Sequence, residues 1–287
     1  MAENIEHKSK LKCELFNDSF QNFRKYAIPK AQLVIADVPY NVADMFYGSN
    51  PSWYIGGDNK NGESKLAHKQ AFYSDNNFNI AEYFNFCSHL LKKEPKKGSE
   101  IRGRSSDAPC MIVFCSFQQQ ELVIKYGKKY GFPNYIPLTF VKNYSAQALK
   151  ANMRVVGATE HAILLYRGRL PNFRNYGKIV YDWFLITKEG DKKYPRIHPT
   201  QKSVTLLKTL MQTFTDPGDV VIDPCAGSCS TLRAAKELGR NSYGFEISKD
   251  FCKKARELMI PDTIFPEDKV TGQTNLIDLF GEEALES

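Results

Sequence analysis

Residues 36–42 read Ala-Asp-Val-Pro-Tyr-Asn-Val, directly after an apolar run that begins at Leu33. The run has the length and composition of a buried strand. It ends on the carboxylate of Asp37, with Val38, Pro39 and the aromatic Tyr40 behind it. A carboxylate and a neighbouring backbone carbonyl can accept the two hydrogens of an amine, and a phenol ring can stack on the flat ring that carries the amine. Asp and Pro also suit turns, and on these residues alone a plain strand-to-loop junction is the simpler reading.

Three other acids fall in the same position relative to a strand. Asp18 follows "CELF" (13–16), Asp223 closes the strand in "VVIDPCAGSCSTLRAA", and Glu246 follows the strand after that helix. In a doubly wound sheet, ligands sit at the carboxyl ends of strands, and an acid at the second strand of a βαβ unit commonly bonds ribose hydroxyls. Gly227 lets backbone approach a ligand closely. The loop lacks GxGxxG, so a nicotinamide dinucleotide is disfavoured and a nucleoside cofactor without a pyrophosphate fits better. An ordinary tight βα turn also uses Gly and Ser. Residues 196–203, "RIHPTQKS", crowd His198, Thr200, Gln201 and Lys202 before an amphipathic helix, and read equally as its polar cap.

The elements that must position these groups alternate along the chain. Strands are expected at 13–16, 33–36, 109–117, 136–143 and 161–168, and on either side of the 223–230 loop. Helices are expected at 19–26, 80–91, 118–131, 202–214, after the loop, and at 249–259. Alternation of this kind predicts an α/β chain with a doubly wound, mainly parallel sheet. Residues 44–80 read as a long loop or insertion, and 92–104 as basic and exposed. Residues 171–196 are aromatic and basic without clear periodicity.

Composition sets the outer limits. Hydrophobic residues make up 42% of 287, enough for a proper core. No apolar run approaches the roughly 18 residues of a membrane span, and residues 1–12 lack a signal-peptide stretch. A soluble, cytoplasmic protein is expected. Seven cysteines form no CxxC pair, so they read as reduced, packed thiols and a zinc ribbon is not expected. A formal charge of +7 permits a polyanionic partner without demanding one.

Taken together, the stretches resemble one family. "DVPY" resembles the (D/N/S)PP(Y/F) signature of DNA amino-methyltransferases, "HPTQKS" their HPTQKP, and "DPCAGSCST" their DPFAGSGTT cofactor loop. The order, catalytic motif first and cofactor loop late, is similar to the beta group of adenine-N6 and cytosine-N4 enzymes, over roughly residues 10–260. The resemblance implies a Rossmann-like methyltransferase fold with an irregular DNA-recognition insertion. Residues 10–43 and 109–260 would form the catalytic domain, 44–108 the insertion, 167–196 a target-recognition region and 261–287 a tail.

It also implies roles. Asp37 and the Val38 carbonyl would accept from the target amine, with Pro39 between them and Tyr40, which would stack on a flipped base. S-adenosylmethionine would be lined by Asp18, Asp37, Asp223, Cys225, Ala226, Gly227 and Ser228, with Glu246 on its ribose and His198, Thr200, Gln201 and Lys202 toward its methionine end. No metal is needed. The implied activity is site-specific adenine-N6 methylation of DNA by a bacterial or phage-encoded enzyme. The alternatives are cytosine-N4 methylation, or a DNA-binding protein of this fold with weak or no catalysis. A homodimer and a cognate restriction nuclease are the further partners that the resemblance leaves open. Phosphate and base contacts would come from Trp53, Tyr54, Lys92, Lys93, Lys96, Lys97, Arg102, Arg104, Arg167, Arg169 and Arg174, though a solvated face explains any single lysine as well. Four departures from the family pattern bear on activity: Val38 for the first Pro, Cys225 for an aromatic, Ser203 for the final Pro of HPTQKP, and Cys229 for the second loop Gly. A non-Gly residue at positive φ would be costly there.

Overall fold

The computed structural model describes residues 11–39, 78–95, 107–144, 155, 157–175, 179–187, 191–198, 200–264 and 266. Tyr40, Trp53, Tyr54, Lys96, Lys97, Arg102, Arg104 and most of the 44–108 and 261–287 stretches lie outside them.

Eight strands form one sheet: β1 (Cys13–Phe16), β2 (Leu33–Asp37), β3 (Cys110–Phe114), β4 (Asn134–Lys142), β5 (Thr159–Tyr166), β6 (Trp183–Ile186), β7 (Val220–Asp223) and β8 (Asn241–Phe245). Their order is β1-β8-β7-β2-β3-β5-β4-β6. All pairs are parallel except those of β5, which runs antiparallel to both β3 and β4. The chain is therefore α/β with a mainly parallel sheet, as the alternation predicts. Strand β6 is a correction: it lies inside 171–196, read as irregular, because four residues carry too little periodicity to register.

Both faces of the sheet are covered, and β2 shows why its sequence is apolar throughout. Leu33 and Ile35 pack with residues of α3 (Val204–Phe214) and α4 (Ser230–Glu237), while Val34 and Ala36 pack with α1 (Ile80–Leu90) and Val123 of α2 (Gln120–Lys129). Side chains alternate across a strand, so a strand buried on both faces loses the polar alternation. Asn79 caps α1 by accepting from the amides of Ala81 and Glu82, and Ser203 caps α3 by accepting from Leu206. Each cap satisfies helix amides that have no internal partner.

The parallel strands end at one edge, and their helices return the chain across the faces. Asp37 is the last residue of β2, Asp223 of β7, and Glu246 follows β8. Behind this edge, β8 comes close to α4. A Cβ on Gly244 would sit 2.8 Å from Leu232 Cδ1 and 3.1 Å from Ala226 Cβ. Leu232 is fully buried and has no room to retreat. Gly244→Ala is expected to destabilise the fold by about 1–3 kcal/mol through overpacking, lowering the midpoint of a thermal melt by several degrees. An unchanged melt would show that α4 shifts freely against β8.

Candidate active site

Strand β2 delivers Asp37 to the edge, and the ladder to β3 continues one residue further. The Val38 amide donates to the Phe114 carbonyl at 3.2 Å. The Gln119 side chain donates to the Pro39 carbonyl at 3.0 Å, and its own oxygen accepts from the Ser116 amide at 3.1 Å. Residues 37–39 are thus fixed by β3 and the turn after it, although Val replaces the first Pro of the family pattern.

Oδ1 of Asp37 is buried and faces the Lys202 ammonium at 3.2 Å, while the side chain as a whole is 26% exposed. What a ligand can reach of this carboxylate lies away from that inner oxygen. Lys202, which the resemblance puts toward the methionine end of the cofactor, is held here between carboxylates. Its ammonium also binds Glu160 at 2.6 Å and lies over the Phe114 ring, 5.0 Å from the centroid. Glu160 is the second residue of β5 and is bound from its other side by Lys142 at the end of β4. Burial alone would raise the Glu160 carboxyl, but the two lysines outweigh it and hold it at about 2. Sequence reasoning missed Glu160 and Lys142. The available signal was a charged residue near one end of each of two largely apolar strands.

The loop after β7 has an unusual backbone. Gly227 has φ +50 and Cys229 has φ +62 with ψ +26, a left-handed conformation that an L-residue adopts at a cost of roughly 1–2 kcal/mol. The loop is held in it by several bonds. Cys229 donates to Ala226 O at 2.6 Å, Ala226 to Phe245 O at 2.8 Å, and Gly227 to Glu246 Oε2 at 2.9 Å. Among the described residues, a Cβ on Gly227 would meet nothing closer than 4.0 Å. Ser228 is buried and its hydroxyl bonds that of Ser230 at 2.9 Å.

The acids around this loop are in different states. Asp223 is buried; its Oδ1 accepts from the Cys225 amide at 2.9 Å, and burial pushes its carboxyl up to about 7. Glu246 is also raised by burial, although the Ser248 amide donates to Oε1 at 2.7 Å and Gly227 to Oε2. Asp18 is held below the usual range by Asn22, at 2.7 Å, and by the Tyr26 hydroxyl at 2.8 Å. Burial raises the Cys225 and Cys229 thiols well above their ordinary range, which leaves them inert.

His198, Thr200, Gln201 and Lys202 make separate contacts. His198 packs on Phe251 of α5 (Lys249–Lys254), with centroids 4.3 Å apart, and burial lowers its pKa. The Thr200 amide lies 3.2 Å from His198 Nδ1. Gln201 is turned back on its own segment, accepting from the Ile197 amide at 3.1 Å and donating to Pro195 O at 2.9 Å. Lys202 then reaches Asp37. The carboxylates of Asp223 and Glu246 beside the Gly227 loop are chemically suited to a cationic nucleoside cofactor. Among the described residues no cluster of His, Cys, Asp and Glu could hold a metal ion.

Several basic residues expected at DNA lie elsewhere. Lys92 pairs with Asp219 at 3.0 Å and Arg174 with Asp216 at 2.6 Å, both beside the start of β7. Arg167 follows the end of β5, donates to Lys92 O at 2.9 Å and covers the Phe132 ring. These three sit at the sheet edge opposite Asp37. They were legible as charges, but not as members of intramolecular pairs.

The model of the N6/N4 DNA methylase family matches residues 31–257. The DNA adenine methyltransferase YhdJ of Escherichia coli (strain K12) is 28% identical over 258 residues, covering 83% of this chain and 79% of that protein. The putative methylase YubD of the same organism is 31% identical over 226 residues, covering 78% and 85%. The solved M1.HpyAVI–SAM complex aligns with TM-score 0.60 at 21% identity over 85% of this chain and 97% of that one. The cytosine-N4-specific PvuII DNA methyltransferase aligns with TM-score 0.59 at 14% identity over 87% of each chain, which speaks to the fold. The match runs from the strand that ends on Asp37 to the helix behind Glu246, and the chain belongs to the N6/N4 family of DNA methylases.

Proposed function

We propose that this DNA methyltransferase is site-specific and modifies the exocyclic N6 of a flipped adenine. The observation that carries the reading is Asp37: a partly accessible carboxylate at a strand end, with its inner oxygen held by Lys202 and the next two residues pinned by Phe114 and Gln119. An exocyclic amine is a poor nucleophile because its lone pair is delocalised into the ring. Acceptors at Asp37 and the Val38 carbonyl favour a pyramidal nitrogen and aim the lone pair. S-adenosylmethionine supplies an electrophilic methyl on a sulfonium. The protein's contribution is then positioning and electrostatics. Extracting the base costs a few kcal/mol, and stacking on Tyr40 would return about 1–3 kcal/mol. Asp223, Gly227, Ser228 and Glu246 would hold the cofactor, with Asp18 at its adenine edge and His198 and Thr200 over the loop. Asp at the head of the catalytic motif, and a relative named as an adenine methyltransferase, support adenine over cytosine.

Asp37→Ala is expected to lower turnover at least about ten- to a hundredfold, the worth of a charged hydrogen bond, while cofactor affinity stays close to wild type. Calorimetry with single-turnover kinetics checks both. Near-normal turnover would remove Asp37 from the reaction.

Asp223 gives a pH signature. Its folded pKa of about 7 lies above the ordinary 3.8, so the folded chain binds more protons between those values. Stability of the cofactor-free protein should therefore fall as pH rises through that window. Affinity for a cationic cofactor should rise over the same window, because the cation favours the ionised acid. Asp223→Asn should flatten both curves, read by melting and by calorimetry; two unchanged slopes would assign the titration elsewhere.

Methylated DNA digested to nucleosides should yield N6-methyldeoxyadenosine by mass. N4-methylcytosine alone would overturn the adenine assignment and leave the family and cofactor standing.

A further inference from the structure

Glu160 has no role in the reaction as described, yet it is the other anion on the lysine that holds Asp37. It stands at the catalytic edge because β5 runs backwards, so the start of β5 meets the ends of β3 and β4. Four side chains form a line there: Lys142, Glu160, Lys202 and Asp37. Lys142 binds Glu160 Oε1, and the Lys202 ammonium lies 2.6 Å from Glu160 Oε2 but 3.2 Å from Asp37 Oδ1. Lys202 is 13% exposed and Glu160 19%, so water screens these charges little.

We propose that Glu160 is a positioning residue for methyl transfer: it draws the Lys202 ammonium away from Asp37 and so sets how much negative charge Asp37 retains for the target amine. The proposal rests on Asp37 being the acceptor. A lysine shared unequally between two carboxylates neutralises the nearer one more. Without the Glu160 charge, the ammonium moves onto Asp37 and weakens it as an acceptor. Without Lys142, Glu160 pulls harder on Lys202, and Asp37 is relieved. The other groups around Asp37 are Asp223 at the end of β7 and the Cys115 thiol after β3, whose pKa burial pushes up to about 12, together with the buried Cys225 thiol. Tyr144, beyond β4, faces Glu160 with a hydroxyl that burial keeps protonated.

The two lysine-side substitutions act in opposite directions, which a merely structural role would not produce. The readout is the acid limb of kcat, measured with saturating S-adenosylmethionine and unmethylated, polymerase-amplified DNA of mixed sequence. Glu160→Gln should lower plateau kcat about tenfold, move the acid limb to lower pH, and leave the KM for S-adenosylmethionine within about threefold. Lys142→Met should move the acid limb to higher pH. Limbs that stay in place, or move the same way in both variants, overturn the proposal. Should Glu160→Gln fail to fold, Lys142→Met decides alone: an unmoved or lowered limb overturns the proposal. Asp37→Asn is assayed alongside. Wild-type kcat in it would overturn the reading of Asp37 itself, whereas lost kcat with unmoved limbs in the other variants overturns only the role of Glu160.

Discussion

The Lys202 ammonium stands between Asp37 and Glu160, and the charge balance of the whole edge is built around it. Parallel strands that end together gather their terminal residues in one place. Here Asp37 and Asp223 end two of those strands and Glu246 follows a third, and burial pushes Asp223 and Glu246 toward their neutral forms. The edge answers in three ways. Glu160 stays ionised because two lysines outweigh its burial. Glu246 receives backbone amides on both oxygens, yet burial still raises it. Asp223, with one backbone amide and no lysine, rises to about 7. A cationic cofactor beside Asp223 and Glu246 would favour their ionised forms.

The loop after β7 depends on Glu246 as much as on its own sequence. Cys229 occupies a backbone conformation that favours glycine, and Gly227 precedes it with positive φ as well. Such strain persists only where neighbouring bonds over-determine it. Glu246 supplies one of these bonds by accepting from the Gly227 amide, and Phe245 supplies another by accepting from Ala226. The close approach of Gly244 to Ala226 and Leu232 lets β8 stand near enough to do so. One carboxylate thereby shapes the loop.

How much of this could be read in the sequence follows from the range of the interactions involved. The strands ending on Asp37 and Asp223 were legible because doubly buried strands are apolar runs, and the turn residues after them mark where they stop. Cys229 was legible as a problem, since a motif that resembles a glycine loop signals positive φ. Glu160 was not legible: its meaning comes from β5 running antiparallel, which is decided by pairings far apart in sequence. Strand β6 escaped for the same reason, as its four residues are ordered by pairing with β4. Lys92, Arg167 and Arg174 looked like contacts for phosphate because sequence displays charge but not partners. The fold put them on the far edge, against Asp219, Phe132 and Asp216.

Val38 shows how a departure from a family pattern can be compensated by the ladder next to it. A proline at 38 would fix φ but remove the amide. Valine keeps that amide, and it donates to Phe114 O, extending the β2–β3 pairing past the last strand residue. The side chain is buried at 2% exposure against the α1 face, so the residue is held from its backbone and from its side chain. Pro39 retains the ring at the second position, and Gln119 fixes its carbonyl from the turn after β3. Rigidity at an acceptor site is a property of what the backbone is tied to, not of proline as such. On that ground the Val38 carbonyl needs no proline to keep its direction, and the departure at this position is weak grounds for expecting an inactive protein.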